Sequence, residues 1–172
     1  MPEQPILHIA RPGVDPSAFR RAMRKPASTV AILTASHAGV RAGVTITAAC
    51  SLSDDPPSVL ACLHAHSAAL AVVRAAGHFA LNVLSESQTD LADTFAGRAG
   101  LHGEARFRDG DWAVMETGAP ASRHAACIFD CDLREELPSP THAILIGQVR
   151  GLWEPSPADP LLYRDGRYRR LG

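Results

Sequence analysis

A run of small and hydroxyl-bearing residues, 43–57 (GVTITAACSLSDDPP), has the clearest capacity for ligand chemistry in this sequence. Where a core strand would carry leucine or phenylalanine, the run carries Thr45, Thr47, Ala48, Ala49, Ser51 and Ser53. Small side chains let a flat ligand approach the backbone, and hydroxyls and free N–H groups can then bond its polar edge. The same composition is typical of a twisted edge strand that runs into a proline turn, so both interpretations stay open.

Histidines and one asparagine are the other side chains that could take part in chemistry. His64 and His66 would share one face of a strand, but no nearby carboxylate or thiol completes a metal site, so we expect no metal there. His142 begins an alternating strand, where it is either a half-buried structural residue or a ligand contact. Asn82 lies in an apolar strand, so its amide must bond either a ligand or the backbone. The sequence has no G-x-G-x-x-G, P-loop, G-x-S-x-G or H-E-x-x-H motif.

Length and composition predict one globular domain. The chain has 172 residues, of which 46% are hydrophobic and 20% charged, and we expect a flexible tail over residues 1–14 and a single domain over 15–172. The net charge of −1 argues against a nucleic-acid or anionic-membrane surface. The densest basic stretch, 164–170, is either a solvated hairpin or a contact for an anionic ligand.

Targeting signals and cysteine usage favour a cytoplasmic protein. Residues 1–13 contain no basic segment leading into an apolar run, and no stretch approaches the ~18 apolar residues of a membrane span. The four cysteines, Cys50, Cys62, Cys127 and Cys131, form no C-x-x-C pair and lie among apolar or small residues. We therefore expect buried, reduced thiols.

Start and stop signals predict three short helices, over residues 17–24, 67–74 and 85–97. Asp15 is the expected N-cap of the first helix, and Ser67 caps the second, which Gly77 ends. Ser85 and Gln88 fit a capping box at the start of the third.

Apolar and β-branched runs predict strands over 29–34, 44–47, 59–63, 79–84, 124–134 and 142–153. The polar run 37–43 is expected to be a hairpin loop, and 98–122 a loop with one short strand near Trp112. A tight turn at Asp165-Gly166 closes a last hairpin. Because strands and helices do not alternate regularly, the pattern favours a mainly β fold: an antiparallel, closed or partly split barrel with a few short peripheral helices.

Six segments, in order, carry a resemblance to a known family. They are residues 43–45 (GVT), 51–57 (SLSDDPP), 79–85 (FALNVLS) with Gln88, 95–96 (FA), 141–142 (TH) and 163–168 (YRDGRY). The sequence resembles the short-chain flavin reductases, which have the FMN-binding split-barrel fold and serve as reductase components of two-component flavin-dependent monooxygenases. The family often has asparagine where this chain has Thr47, and glycine or aspartate where it has Pro140 and Thr141.

The resemblance implies a role for each candidate residue. The isoalloxazine ring and ribityl chain of FMN or FAD would be lined by Thr45, Thr47, Ala48, Ser51 and Ser53. Ser67, at a helix N-terminus, would meet the flavin phosphate, and His66 and Gln88 would also bind the cofactor. Asn82 would lie near the ring. His142 would be the catalytic residue and, with Tyr168, would face the nicotinamide of NADH or NADPH.

The implied activity is that of an NAD(P)H:flavin oxidoreductase that supplies reduced flavin to a separate oxygenase by diffusion. Hydride transfer from nicotinamide to flavin is chemistry that the cofactors carry themselves, so no strong general acid or base is required. We expect a homodimer and neither a nucleic-acid nor a membrane partner. Two alternatives are a split-barrel protein that binds flavin or haem without reducing it, and a flavin-free β-barrel interaction domain.

Overall fold

Antiparallel strands dominate the computed structural model, which describes residues 13–154 and 157–172. The helices are α1 (Pro16–Met23), α2 (Ala68–Ala76) and α3 (Thr89–Phe95). The strands are β1 (Ser28–Thr29), β2 (Ala31–His37), β3 (Val40–Ile46), β4 (Ala49–Asp54), β5 (Pro57–His64), β6 (His78–Val83), β7 (Trp112–Val114), β8 (Pro120–Ser122), β9 (Cys127–Pro138), β10 (His142–Trp153), β11 (Leu162–Arg164) and β12 (Arg167–Arg169). A 3-10 helix spans Gly103–Phe107. The expectation of a mainly β chain is confirmed, whereas residues 1–12 of the expected tail lie outside the described residues.

The first two helices have the predicted residues Asp15, Ser67 and Gly77 at their ends, and their bounds lie within two residues of the predicted ones. Asp15 accepts a hydrogen bond of 3.0 Å from the backbone N–H of Ala18, and Pro16 takes the first helical position. Ser67 is the N-cap of α2, and Gly77 ends that helix with a φ of 70°, in the left-handed region that glycine adopts without strain.

The third helix begins later than the capping-box pattern predicts. Ser85 pairs with Pro160 through a β-bridge, and Glu86 and Ser87 form a turn after it, so the helix does not begin until Thr89. Gln88 is the N-cap instead, and its Oε1 accepts a hydrogen bond of 3.0 Å from the backbone N–H of Ser85. Pairing with a distant segment therefore overrides the local helix signal.

The main sheet has seven strands in the order β3-β2-β6-β9-β10-β5-β4, all antiparallel. Its two edge strands, β3 and β4, follow each other along the chain with only Thr47 and Ala48 between them. The sheet must therefore curl until its edges meet at this corner. Because no ladder joins β3 to β4 in the described chain, the barrel is closed by the chain and not by hydrogen bonds. This is the split antiparallel barrel that the sequence predicts.

The hairpins confirm some predicted turns and correct others. Asp165 and Gly166 form the predicted tight turn, with φ values of 52° and 76°. The predicted loop over residues 37–43 is too long, because Ala38 and Gly39 make the whole turn and β3 pairs with β2 from Val40 onward. The expected strand near Trp112 is β7, and it pairs with β8, which the sequence did not indicate.

Strand β2 is buried on both faces, and this explains its apolar sequence. On the inner face, Leu33 belongs to a cluster that includes Leu70 and Val73 of α2. On the outer face, Ile32 belongs to a cluster that includes Phe95 of α3, with Tyr168 of the C-terminal hairpin packed against it. The barrel thus has an inner core and an outer apolar layer.

The cysteines are less uniformly buried than their surroundings predict. Cys131 is buried, Cys62 and Cys127 are half-buried, and Cys50 is exposed on the edge strand β4, which corrects the expectation for that residue. All four are free thiols. In the described parts of the chain, no helix has the length and apolar character needed to cross a membrane.

Candidate active site

The corner between β3 and β4 is built from two small exposed residues, Thr47 and Ala48. The carbonyl of Ala48 accepts a hydrogen bond of 2.9 Å from the N–H of Cys62, which fixes the corner against β5. Strand β4 pairs with β5 alone among the described strands, so its other edge presents unpaired backbone groups. Small side chains and a free strand edge together suit a flat ligand with polar atoms on its rim.

Thr45, Thr47 and Tyr168 are brought together on the outer side of the barrel. They line a cavity of about 150 Å³. The hydroxyl of Thr45 donates a 2.7 Å hydrogen bond to the carbonyl of Ala92, so it fixes β3 to α3. Tyr163 and Arg98 also line this cavity. Sequence reasoning missed Arg98, because nothing near it in the chain marks it as a neighbour of the hairpin.

The phenol of Tyr168 lies in an environment that keeps it protonated. Burial, followed by the hydrogen bond to Asp93 and its negative charge, raises the pKa of Tyr168 well above the usual value. The Arg98 guanidinium lies 5.7 Å from the centre of the Tyr168 ring. The hairpin wall of this cavity is therefore a neutral aromatic surface at physiological pH.

A second cavity, of about 350 Å³, adjoins the corner on the side of α1. Thr47 and Ala48 line it together with Phe19 of α1 and Tyr163 and Gly166 of the C-terminal hairpin. Thr47 faces both cavities. The corner is thus lined by two adjacent cavities.

Three histidines meet where β5 ends and β10 begins. His142 pairs directly with His64, and their ring centres lie 5.4 Å apart in an edge-on arrangement. His66 lies 5.6 Å from His64, also between ring centres. The Nδ1 atom of His142 is 2.8 Å from the hydroxyl of Thr141. No group of three metal-binding side chains with metal-site geometry occurs in the described residues.

The histidine end lies close to the corner along β5. Ala48 is bonded to Cys62, and His64 follows two residues later, a distance of about 7 Å along an extended strand. Ser67, at the N-cap of α2, makes no capping bond with its side chain, so its hydroxyl can bond a ligand. The structure therefore places the corner, His142 and Ser67 in one region.

Ser51 and Ser53 lie elsewhere, in the open mouth of the barrel. They line a largely apolar groove of about 570 Å³ together with Leu81, Phe129 and Val149. The hydroxyl of Ser53 is engaged in a local turn, since it accepts a 3.1 Å hydrogen bond from the N–H of Asp55. These two serines are not brought together with Thr45 and Thr47.

Asn82 and Gln88 are buried and bonded to the protein. The amide of Asn82 donates to the carbonyl of Ile32 at 3.0 Å and accepts from the N–H of Ser122 at 2.8 Å. The amide of Gln88 donates to the hydroxyl of the same Ser122 at 2.7 Å. With Asn82 fully buried, the structure favours the backbone-staple interpretation of that residue over a ring contact.

The fold and the corner together define a split-barrel protein whose two sheet edges meet at small, exposed residues beside two cavities. Residues 23–172 match the family model of the flavin reductase like domain, and the chain belongs to this family. It is 40% identical over 158 residues to FMN reductase (NADH) RutF 2 of Methylorubrum extorquens strain PA1, and the aligned region covers 92% of this chain and 91% of that protein.

Solved structures of related proteins have the same fold. A protein from Haemophilus somnus 129PT, classed as a flavin reductase, superposes with a TM-score of 0.87 and 32% identity over 92% of this chain and all of that one. BorF, the flavin reductase component of a bacterial two-component tryptophan halogenase, superposes with a TM-score of 0.83 and 28% identity, covering 91% of this chain and 98% of that chain. The resemblance read from the sequence is confirmed.

Proposed function

We propose that the protein is an NADH-dependent flavin reductase that reduces FMN at the Thr47–Ala48 corner. The observation that carries the proposal is the meeting of the two sheet edges at a pair of small residues, about 7 Å along β5 from the histidine end. A ring lying on this corner would have a free strand edge on one side and His142 within reach on the other. Family membership and the names of the relatives support the same conclusion.

The residues present fit a flavin mononucleotide. Thr47 and Ala48 leave space for an isoalloxazine ring close to the backbone, and the open edge of β4 offers N–H groups to its polar rim. Ser67 would bond the phosphate with its free hydroxyl at the N-terminus of α2, with the exposed His66 beside it. When bound, the flavin would accept hydride from the nicotinamide and later pass electrons to oxygen.

The chain's own residues bind and orient the reactants. Thr45 fixes β3 to α3 through Ala92, which sets the position of the corner. Asn82 and Gln88 would act behind the site, since Asn82 accepts a hydrogen bond from the backbone N–H of Ser122 on β8 and Gln88 donates one to the hydroxyl of the same serine. His142 would place the nicotinamide by a hydrogen bond from its imidazole. FMN and NADH are favoured over FAD and NADPH by the name of the RutF 2 relative.

We further propose that residues 15–172 act as a single domain in a homodimer that serves a separate oxygenase. The apolar groove at the barrel mouth, with Leu152 on its rim 59% exposed and Leu52 on β4 49% exposed, is a surface that a second copy of the chain would cover. Ser51 and Ser53 would then lie at the dimer interface. The two-component halogenase system to which BorF belongs supports a partner that receives reduced flavin.

Stopped-flow mixing of the protein, FMN and NADH tests the reductase activity. Without oxygen, we expect NADH and the protein together to bleach the absorbance of FMN. Under air, we expect FMN-dependent oxidation of NADH with formation of hydrogen peroxide. Binding of FMN without reduction would instead indicate a storage protein. The absence of both would indicate a flavin-free interaction domain.

A further inference from the structure

A strongly basic cavity lies between the C-terminal end of α1 and the hairpin of β11 and β12. Its volume is about 680 Å³. It is lined by six cationic side chains, Arg21, Arg24, Lys25, Arg164, Arg169 and Arg170, and by the single carboxylate of Asp165. The whole chain has a net charge of −1, so this concentration of positive charge is local and calls for an explanation.

Helix capping explains only part of the cluster. Cationic side chains at the C-terminal end of a helix interact favourably with the helix dipole, which accounts for Arg21 in the last turn of α1 and for Arg24 at its C-cap. It does not account for Arg164, Arg169 and Arg170, which belong to the hairpin segment. The hairpin is fixed here because the N–H of Asp165 donates a 3.0 Å hydrogen bond to the carbonyl of Arg24.

The positive charges are largely uncompensated among residues 13–154 and 157–172. Of the six cations, only Arg170 lies within ion-pair distance of a carboxylate, at 3.7 Å from Glu86. Like charges gathered around one cavity repel each other, and an anion bound between them removes this repulsion. Arginine also matches phosphate geometry with two parallel hydrogen bonds.

The basic cavity adjoins the cavity of about 350 Å³ at the corner. Arg24, Arg164 and Asp165 line both of them, and Thr47 and Ala48 line the second. A molecule that placed a ring at the corner could therefore extend its phosphates into the basic cavity. This adjacency favours a dinucleotide over an unrelated anion.

We propose that this cavity binds the diphosphate of a dinucleotide whose redox-active ring lies at the Thr47–Ala48 corner. The identity of the ring rests on the proposed reductase function. The binding of an anion in the cavity rests on the six cations alone. Both NADH and FAD carry a diphosphate, whereas reduced nicotinamide mononucleotide (NMNH) and FMN do not. The mononucleotides are therefore the reference ligands for the test.

The test compares the wild type with the double variant Arg24→Gln/Arg169→Gln. Calorimetry with ADP-ribose, which has the diphosphate but no nicotinamide, measures the site independently of activity. We expect binding about tenfold weaker in the variant and weaker at high salt in the wild type. The matched control, Arg134→Gln/Arg150→Gln, removes two exposed arginines on β9 and β10, and should bind ADP-ribose like the wild type.

Kinetics then identify the dinucleotide. A rise of about tenfold in KM for NADH, with KM for NMNH unchanged, would assign the cavity to the pyridine nucleotide. A rise in KM for FAD relative to FMN would assign it to the flavin. Unchanged ADP-ribose affinity in the variant, or an equal loss in the control, would overturn the proposal. If the wild type binds ADP-ribose through these arginines but reduces no flavin, the reductase function fails and the anion site stands.

Discussion

The phenol of Tyr168 donates a 2.7 Å hydrogen bond to the carboxylate of Asp93, and this bond joins the C-terminal hairpin to α3. The two residues are 75 positions apart in the sequence. Tyr168 also lines the cavity that contains Thr45 and Thr47. A charge-assisted bond of this kind holds the hairpin against the barrel more firmly than apolar packing alone.

Titration of Tyr168 should reveal this bond. In a Tyr163→Phe background Tyr168 is the only tyrosine of the chain, and its phenolate absorbance should appear above the usual pKa of 10.0. Asp93→Asn should lower that pKa, because it removes a negative charge beside the phenol, although burial still raises it. Since the folded pKa is raised, the stabilisation is complete below pH 10 and is lost at higher pH.

The control for this titration is Asp90→Asn, which removes an exposed carboxylate from the same helix. It should leave the Tyr168 midpoint unchanged. Equal shifts in the two variants would mean that general charge, not the specific bond, sets the pKa of Tyr168.

Asn82→Ala should destabilise the fold without a specific effect on FMN affinity. The substitution leaves the N–H of Ser122 without its partner in a fully buried position. We expect the free energy of unfolding to fall by about 3 kcal/mol in urea titrations, because buried polar groups lose their partners. Gln148→Ala removes a surface amide bonded to Arg134 and should cost about 0.5 kcal/mol or less. A loss of FMN affinity at unchanged stability would instead indicate that Asn82 contacts the flavin ring.

The sequence predicted the elements whose signals are local. Asp15 and Gly77 act on residues close to them in the chain, and their places at the start of α1 and at the end of α2 were predicted correctly. The start of α3 was wrong because Ser85 pairs with Pro160, 75 residues away. The position of such a partner cannot be read from the capping pattern.

The candidate site was predictable to the extent that it is contiguous in the chain. Thr47 and Ala48 lie on the corner because the two edge strands are consecutive. The division between Thr45 outside the barrel and Ser51 at its mouth depends on how the sheet curls, which composition does not indicate. Likewise, the partners of Asn82 lie on β2 and at the end of β8, distant in sequence.

Gly147→Ala should destabilise the barrel by overpacking. A Cβ at this position would collide with the ring of Phe79 and would lie 2.9 Å from the Cβ of Cys131, both fully buried. We expect a loss of about 1–3 kcal/mol in unfolding free energy. Gly151→Ala on the same strand is the matched control, since the nearest atom to its Cβ, in Asp130, is 3.5 Å away. Thermal melts of the two variants give the comparison.

Alkaline pH should weaken the fold partly through Cys131. Burial, with smaller contributions from Asp130 and Asp132, raises the pKa of the Cys131 thiol from 9.0 to about 12. The unfolded chain releases this proton first, so the stabilisation is complete below pH 9 and is lost as pH rises toward 12. Cys131→Ala should reduce the fall in urea midpoint between pH 8 and pH 11, whereas Cys50→Ala, at an exposed thiol, should not. A fall of the same size in Cys131→Ala as in the wild type would contradict this assignment.

His142→Ala should slow flavin reduction by NADH while leaving FMN binding nearly intact. The side chain is exposed at the start of β10, so its loss should not unfold the barrel. If its imidazole orients the nicotinamide, the reduction rate should fall about ten- to hundredfold, the effect of one oriented hydrogen bond. Dithionite should still reduce the bound FMN at the wild-type rate, because that reductant needs no nicotinamide site. His37→Ala, at another exposed strand end, should match the wild type in every assay. Lowered thermal stability with unchanged reduction kinetics would make His142 a structural residue, and the nicotinamide would then be oriented by the Tyr168 hairpin alone.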